Sequence, residues 1–214
     1  VHGLFVAISC ALLSGASMRW LPVFSAAAVL RYLPECTVMM GVPTYYTRLL
    51  AEASLSASLA AGMRLFVSGS APLLVDTKNR FEELTGGTLV EGYGLTESHV
   101  ATHANPIEGT NKAGSIGMPL PGVEARIVDS ADGEDELPVG EIGELIMRGP
   151  TIMQGYWNMP TETANVLRAD DDGVVWLHTG DIGLMDEDGF FKIVDRKKEM
   201  ILVSGFNVYP NCTF

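Results

Sequence analysis

Short apolar runs that alternate with helical patterns over the first half of the chain constrain the fold more than any other feature of the sequence. The runs predicted to be strands are residues 18–21, 37–40, 63–67 and 88–90. The segments with helical patterns are residues 3–14, 24–32, 44–53 and 74–84. Apolar strands joined by helices are typical of a parallel sheet, because both faces of such a sheet are covered. We therefore predict an α/β fold with a partial parallel sheet and helices on both faces.

The second half is rich in short β-type runs separated by Gly, Pro and Asp turns. The predicted strands are residues 123–129, 143–149, 174–180, 182–186 and 190–195, and residues 162–167 are predicted to form a short helix. This pattern predicts a small β-barrel-like or meander subdomain. We divide the chain into an α/β part at residues 1–110, a β-rich subdomain at residues 111–196 and a terminal segment at residues 197–214 that begins another strand pair.

Composition narrows the classes of function. The formal net charge of −12 argues against a nucleic-acid partner, which requires clustered Lys and Arg. The cysteines Cys10, Cys36 and Cys212 form no CxxC pair, which favours free thiols in an intracellular compartment, cytoplasmic or mitochondrial, over a disulfide or zinc framework. The apolar run at residues 4–13 is too short to span a bilayer, so we predict a buried or half-buried helix and no transmembrane segment.

Small and polar residues follow the predicted strands that end at Val67 and Val90, in the sequences SGSAPL and EGYGLTE. In parallel α/β sheets, ligands bind at the carboxyl ends of strands, where glycine lets them approach the backbone. Tyr93 offers a ring face for a planar group, Thr96 offers a hydroxyl for a phosphate, and Glu97 offers an oxygen ligand for Mg²⁺.

Two other interpretations of EGYGLTE remain open. In the first, Gly92 and Gly94 serve only a tight turn and Glu97 caps a helix. In the second, the sequence is a dinucleotide fingerprint, GxGxxG, whose third glycine is missing. The second is disfavoured because a carboxylate repels a pyrophosphate unless a metal ion lies between them.

A second group of candidate residues lies in the β-rich half, in the sequences HTGDIG and VDRKKEM. Asp181 follows a strand and a glycine, and its carboxylate can accept hydrogen bonds from the vicinal hydroxyls of a ribose. Arg196, Lys197 and Lys198 are consecutive cations in an acidic chain, and an arginine can pair with phosphate or ribose oxygens. A plain Asp turn and a solvated charged turn are the simpler interpretations. His178 alone indicates a structural histidine.

These sequences occur together and in order, and the chain resembles the adenylate-forming acyl-CoA synthetases. The matching segments are SGSAPL, GYGLTE, GEIGELIMRGPTIMQGYWNMPTET, HTGDIG, DEDGFF, VDRKKEMI and SGFNVYP, which span most of residues 63–210. Such enzymes join a carboxylate to ATP, release pyrophosphate and pass the acyl group to coenzyme A. The resemblance therefore implies ATP, Mg²⁺ and coenzyme A as cofactors, a small-molecule carboxylate as substrate, and one crevice for an adenosine ester.

The resemblance also implies a role for each matched residue. Tyr93 stacks on adenine, Thr96 binds a phosphate oxygen, and Glu97 binds Mg²⁺. The small residues that line the adenine or acyl site are Gly69, Ser70, Ala71, Gly92 and Gly94. Asp181 holds the ribose hydroxyls and Arg196 assists there and at phosphate. Lys198 matches the hinge between the two half-reactions, and a loop near the coenzyme A channel is formed by Ser204, Gly205 and Phe206.

Two parts of the family are not among the matched segments, namely a phosphate loop that ends in lysine and the C-terminal domain with its adenylation lysine. We therefore expect a fragment with little or no ligase activity by itself. Malonyl-CoA synthetases typically carry an arginine just before the YG pair, where this chain has Gly92, so an aliphatic monocarboxylic acid is favoured as substrate. A malonyl-CoA synthetase, an amino-acid adenylation domain and a non-catalytic nucleotide-binding fragment remain alternatives.

Overall fold

The structure of the protein, a computed structural model, describes residues 2–99, 101–199, 201–203 and 206–208. The chain divides into two compact units, Val1–Gly117 and Met118–Phe214. We describe each unit by itself. The predicted three-part division of the chain stays a prediction.

The first unit contains both helices and strands. A π-helical segment, His2–Ala7, leads into the first α-helix. The α-helices are α1 (Ile8–Leu13), α2 (Ala26–Tyr32), α3 (Pro43–Leu50), α4 (Ala57–Ala60) and α5 (Val75–Thr85). The strands are β1 (Val38–Gly41), β2 (Leu65–Ser68), β3 (Leu89–Tyr93) and β4 (His103–Ala104). Short 3₁₀ turns lie at Leu33–Glu35 and Thr96–Ser98.

The sheet of the first unit runs in the order β1-β2-β3-β4. β1, β2 and β3 are parallel, with Val38 opposite Leu65 and Phe66 opposite Leu89. β4 is antiparallel to β3. Parallel strands need a crossover connection. Here β1 connects to β2 through α3 and α4, and β2 connects to β3 through α5. The predicted α/β fold is therefore confirmed.

Helix ends and core packing follow the local sequence. α3 begins at Pro43, whose missing N–H costs nothing in a first turn, and α5 ends at Gly86, whose φ of 67° closes the helix. The fully buried ring of Phe81 packs edge-on against Tyr46 at 5.1 Å and Phe66 at 4.9 Å between ring centroids. These contacts fix α3 and α5 against β2.

The predicted strand at residues 18–21 is wrong. The chain is irregular there, and Met18, Arg19 and Trp20 are exposed. Pro22 follows at once and lacks the N–H that a sheet ladder requires. The apolar pattern therefore does not mark a buried strand. Sequence reasoning also missed the shortest elements of this unit, α4 and β4.

The second unit is predominantly β-structure. Its elements are β5 (Met118–Pro119), β6 (Glu124–Val128), β7 (Gly143–Arg148), α6 (Pro160–Val166), β8 (Leu167–Ala169), β9 (Val175–Met185), β10 (Phe191–Arg196), a 3₁₀ turn (Lys197–Glu199), β11 (Ile201–Val203) and β12 (Phe206–Val208). An antiparallel sheet has the order β10-β9-β7-β6, and β8 also pairs with β9. β11 and β12 form an antiparallel pair, which confirms the predicted terminal strand pair.

β9 corrects the prediction of separate strands at residues 174–180 and 182–186. The chain forms one strand because the turn-like residues 179–181 are accommodated as a bulge. On the partner strand β7, Ile146 lies opposite His178 and Glu144 lies opposite Ile182. Residues 179–181 thus lie opposite Leu145 alone, and Gly180 with its φ of 69° permits the excursion. Bulges of this kind direct side chains away from the sheet ladder.

Candidate functional site

The EGYGLTE segment forms the carboxyl end of β3 and the turn that follows it. The fully buried Ser98 accepts a hydrogen bond from the N–H of Leu95 at 3.0 Å and donates one to the carbonyl of Leu95 at 3.2 Å. These bonds fix the short 3₁₀ turn that carries an exposed Thr96 and a half-buried Glu97. Sequence reasoning missed Ser98, because the usual capping signals place the hydroxyl residue at the N-cap and Glu or Gln three positions later, whereas here Leu95 is the N-cap.

Tyr93 is the last residue of β3 and is half-buried. It lies opposite His103 of β4, and the two rings meet edge-to-face with centroids 5.8 Å apart. Burial lowers the pKa of His103 to about 4, so this imidazole is neutral near pH 7. The ring of Tyr93 therefore packs against an uncharged imidazole. Gly92 is not required by packing against β4, because an added Cβ would meet the carbonyl oxygen of His103 at 3.4 Å.

The SGSAPL segment follows β2, the strand beside β3. Gly69 is buried and donates a backbone hydrogen bond to the carbonyl of Gly41 at 3.2 Å. Ser70 and Ala71 are exposed, and Ser70 has a φ of 70°, which is uncommon for a residue other than glycine. Because Ser68 of β2 lies opposite Glu91 of β3, the structure brings this loop and the predicted residues of EGYGLTE to the same edge of the sheet.

A buried carboxylate joins these two segments. Glu91 Oε1 accepts a hydrogen bond from the N–H of Leu73 at 3.0 Å. Burial raises the pKa of Glu91 to about 7, although the Leu73 N–H and the nearby Lys78 ammonium act in the opposite direction. Lys78, also buried, donates to the carbonyl of Leu89 at 2.6 Å and to Glu82 at 2.7 Å. This network ties α5, β3 and the SGSAPL loop together, and sequence reasoning missed it.

The second unit brings Asp181 and Arg196 together. They are register partners where β9 and β10 meet, and Arg196 Nε lies 3.1 Å from Asp181 Oδ1. The Asp181 side chain is 3% exposed, whereas that of Arg196 is 54% exposed. Thr179 braces the bulge that carries Asp181, because its hydroxyl donates to the carbonyl of Leu145 at 2.7 Å and accepts from the N–H of Asp181 at 3.0 Å.

An open hollow of about 450 Å³ lies beside this pair. The residues that line it are Thr179, Gly180, Arg196, Lys197 and Lys198. Lys198, the predicted hinge residue, is exposed in the 3₁₀ turn after β10. Of the predicted loop near the coenzyme A channel, Ser204 and Gly205 lie outside the described residues, and for Phe206 only the backbone at the start of β12 is described.

Glu144, an acidic residue that sequence reasoning missed, contacts two of the residues that line this hollow. It lies on β7 with its side chain 3% exposed. Its Oε1 accepts from the N–H of Gly180 at 3.0 Å, and its Oε2 accepts from Lys197 Nζ at 2.7 Å. His178 Nδ1 lies 3.8 Å from Oε2, which is longer than a hydrogen bond. A lone acid inside the apolar strand GELIM was the signal that could have found it.

Electrostatics keep Glu144 ionised. Burial by itself raises the pKa of Glu144, but His178, Lys197 and the N–H of Gly180 together outweigh burial and bring the value to about 2. The group is therefore a permanent anion at neutral pH.

The donor set of EGYGLTE suits a magnesium ion that binds together with a nucleotide. Among the residues that the structure describes, His, Cys, Asp and Glu side chains form no group of three or more that could hold a metal. Glu97 can supply one carboxylate, and Mg²⁺ commonly uses one or two carboxylates while water and substrate phosphates complete its shell. The chemistry of this segment would therefore fit a metal ion whose other ligands come from water and a nucleotide.

Over the described part of the chain, none of the helices has both the length and the apolar character needed to cross a bilayer. The cytoplasmic or mitochondrial location stays a prediction.

Comparisons with known proteins show which family this chain resembles. The family model described as AMP-binding enzyme matches residues 1–157. The long-chain-fatty-acid–CoA ligase of Bacillus subtilis is 46% identical over 212 residues, which cover 98% of this chain and 37% of the relative. The ligase of the same name from Salmonella typhimurium is 47% identical over 175 residues, which cover 82% of this chain and 30% of the relative.

Solved structures of ligases and related proteins are also similar to this chain. The crystal structure of ATP-bound MatB from Rhodopseudomonas palustris has a TM-score of 0.91 and 44% identity, with 98% of this chain and 40% of that chain covered. A malonyl-CoA ligase with methylmalonyl-CoA and AMP bound has a TM-score of 0.81 and 38% identity, with 97% and 44% covered. The chain thus spans about a third of the length of the curated ligases it matches.

Proposed function

Because the chain belongs to the AMP-binding enzyme family, we propose that the protein that carries it is an AMP-forming carboxylate–CoA ligase. Such an enzyme joins a carboxylate to the α-phosphate of ATP, which releases pyrophosphate and leaves an acyl-adenylate. The thiol of coenzyme A then attacks the acyl carbon, and AMP leaves. The observation that carries this proposal is the pair of Asp181 and Arg196 beside an open hollow of about 450 Å³.

Asp181 and Arg196 suit a ribose and a phosphate. A buried carboxylate is a strong acceptor for vicinal hydroxyls, because hydrogen bonds to ionised groups are about twice as strong as neutral ones. Arg196 pairs with Asp181 through Nε, and its side chain is 54% exposed, so its terminal N–H groups remain accessible to ligand oxygens. We assign the ribose hydroxyls to Asp181 and assistance at ribose and phosphate to Arg196.

The carboxyl end of β3 supplies the other groups that adenylation requires. Tyr93 offers a half-buried ring for the adenine base, and Thr96 offers an exposed hydroxyl for a phosphate oxygen. Glu97 would hold Mg²⁺, which supplies positive charge next to the phosphates. The small residues proposed to line the adenine and acyl groups are Gly69, Ser70, Ala71, Gly92 and Gly94. Positioning of the phosphates and the acyl oxygen accounts for most of the catalysis in phosphoryl and nucleotidyl transfer.

We propose a long-chain fatty acid as the substrate. The curated ligases described above are named for that activity, and Gly92 provides no cation for a second carboxylate. Leaving a second carboxylate buried without a partner is costly. Malonate is the second candidate, because one of the solved structures described above is a malonyl-CoA ligase with methylmalonyl-CoA and AMP bound.

The proposal is tested in the complete protein that carries this chain. Pyrophosphate exchange into ATP is measured with palmitate, octanoate and malonate, and acyl-CoA formation is measured in parallel. We expect exchange and acyl-CoA formation with the fatty acids and little of either with malonate. Efficient use of malonate would replace the substrate assignment, and failure of every acid to support exchange would contradict the ligase activity.

The role of Asp181 is tested by Asp181→Asn with Asp171→Asn as the matched control, since Asp171 is an exposed turn residue. Loss of charged hydrogen bonds to the ribose is worth about 1.5–3 kcal/mol, so AMP binding should weaken about tenfold or more in Asp181→Asn. Asp171→Asn should bind AMP normally in calorimetry. Equal affinities in the two variants would remove Asp181 from the ribose site.

A further inference from the structure

One carboxylate in the second unit connects two segments that the proposed function needs to keep in place. Glu144 Oε1 accepts from the N–H of Gly180, in the bulge that carries Asp181. Glu144 Oε2 accepts from Lys197, the residue between Arg196 and Lys198. The two oxygens of a single buried side chain are therefore shared between the β9 bulge and the turn after β10.

The Glu144–Lys197 pair is poorly explained as a device for stability. Burying a charge costs free energy, and a buried ion pair can often be replaced by apolar residues without loss of stability. β7 is otherwise apolar at its buried positions Leu145, Ile146 and Met147, so an apolar residue at position 144 would suit the strand. The acid instead has specific partners in two segments far apart in sequence.

The geometry also defines which residues are held and which are exposed. Lys197 is 32% exposed and is bound to Glu144, whereas the next residue, Lys198, is exposed and lines the open hollow. Arg196 on the other side is held by its contact with Asp181. Contacts with the buried carboxylates of Asp181 and Glu144 thus hold two consecutive residues, Arg196 and Lys197.

We propose that Glu144 is a positioning residue, which fixes the Gly180 turn and Lys197 and so keeps Asp181 and Arg196 paired beside the nucleotide hollow. The identity of the ligand rests on the proposed function. The fixation of the two segments does not, because it follows from the contacts alone.

The first experiment measures fixation without any ligand. Hydrogen exchange is followed at Gly180 and over residues 196–199 in the complete protein and in Glu144→Gln, with Glu141→Gln as the matched control. Glu141 is exposed in the turn just before β7. Glutamine keeps the size of the side chain but removes the charge that holds Lys197. We expect exchange over residues 196–199 to accelerate about tenfold in Glu144→Gln and not in Glu141→Gln, with a smaller increase at Gly180, whose N–H can still bond the amide oxygen. Unchanged exchange in Glu144→Gln would overturn the proposal.

The second experiment separates positioning from stability. Glu144→Gln, Lys197→Met and the double variant are compared by melting temperature and by AMP affinity, with Lys192→Met, an exposed lysine on β10, as the control. Each single variant leaves one charged group of the pair without its partner, and the double variant removes both charges, so the melting temperature should recover in the double variant. AMP affinity should stay about tenfold reduced in all three.

The outcomes distinguish the possible failures. Recovery of both melting temperature and AMP affinity in the double variant would overturn the positioning role, because only the balance of charge would then matter. If the unaltered protein binds no AMP, the proposed function fails while the exchange experiment still decides whether Glu144 fixes the two segments.

Discussion

Glu91 gives the protein a stability that depends on pH in a direction unusual for an acidic residue. Its carboxyl is buried where it accepts from the N–H of Leu73, and its pKa is raised from 4.5 to about 7. An unfolded chain ionises this group near pH 4.5, whereas the folded chain resists ionisation until about pH 7. The contribution of Glu91 to stability is therefore complete below about pH 4.5 and is lost as the pH rises to about 7.

The size of this effect follows from the two pKa values of Glu91. The values of 4.5 and about 7 differ by about 2.5 pH units, and each pH unit corresponds to about 1.4 kcal/mol, so the loss is on the order of 3 kcal/mol. Glu91→Gln cannot ionise, yet its amide oxygen can still accept from Leu73. We expect the variant and the parent to have similar free energies of unfolding near pH 4.5. The variant should be more stable by about 3 kcal/mol above pH 7.

Urea unfolding of the 214-residue chain, followed by circular dichroism between pH 5 and pH 8, measures this difference. Glu83→Gln makes the same chemical change at an exposed position of α5 and provides the background. A difference between Glu91→Gln and the parent that stays constant over this range would refute the reasoning. So would a parent whose advantage over the variant grows as the pH rises.

Two further predictions concern packing. Gly117→Ala should destabilise the chain by several kcal/mol, because a Cβ there would lie 2.0 Å from the carbonyl carbon of Ala104. Gly109 has a similar positive φ but open space around it, so Gly109→Ala should cost only about 1 kcal/mol. Equal losses in urea unfolding would show that backbone strain alone decides the cost at Gly117. Phe81→Ala should cost about 3–5 kcal/mol, because the ring is fully buried, while Leu84→Ala on the exposed side of α5 should cost far less. A loss below about 1 kcal/mol for Phe81→Ala would contradict this account of the core.

The strand–helix order of the first unit could be predicted because local signals agreed with burial. Pro43 and Gly86 marked a helix start and a helix end, and apolar runs marked β1, β2 and β3. The run at residues 18–21 had the same apolar character but is exposed and irregular. Local pattern does not report whether a strand has a neighbour to pair with, so this segment could not be distinguished from a true strand.

Candidate residues such as Tyr93 and Asp181 could be selected from the sequence because they stand next to glycines at the ends of predicted strands. Glu91 and Glu144 were missed because their partners are backbone N–H groups and a lysine brought close only by tertiary structure. Glu144 and Lys197 are 53 residues apart in sequence, and no local spacing indicates such a pair. Proposed ligand-binding groups were thus predicted from the sequence, and the groups that hold them were not.

The bulge at residues 179–181, an excursion within β9, separates the residues proposed to bind ligand from the residues that pair with the neighbouring strands. Three residues cross the distance that Leu145 alone crosses on the neighbouring strand, so the identity of those three can change while the ladder on either side keeps its pairing. Shortening the excursion by a single residue would have a different effect. It would leave two residues opposite Leu145, which is an ordinary bulge, so Ile182 to Met185 could keep their pairing while the direction of the Asp181 side chain changed.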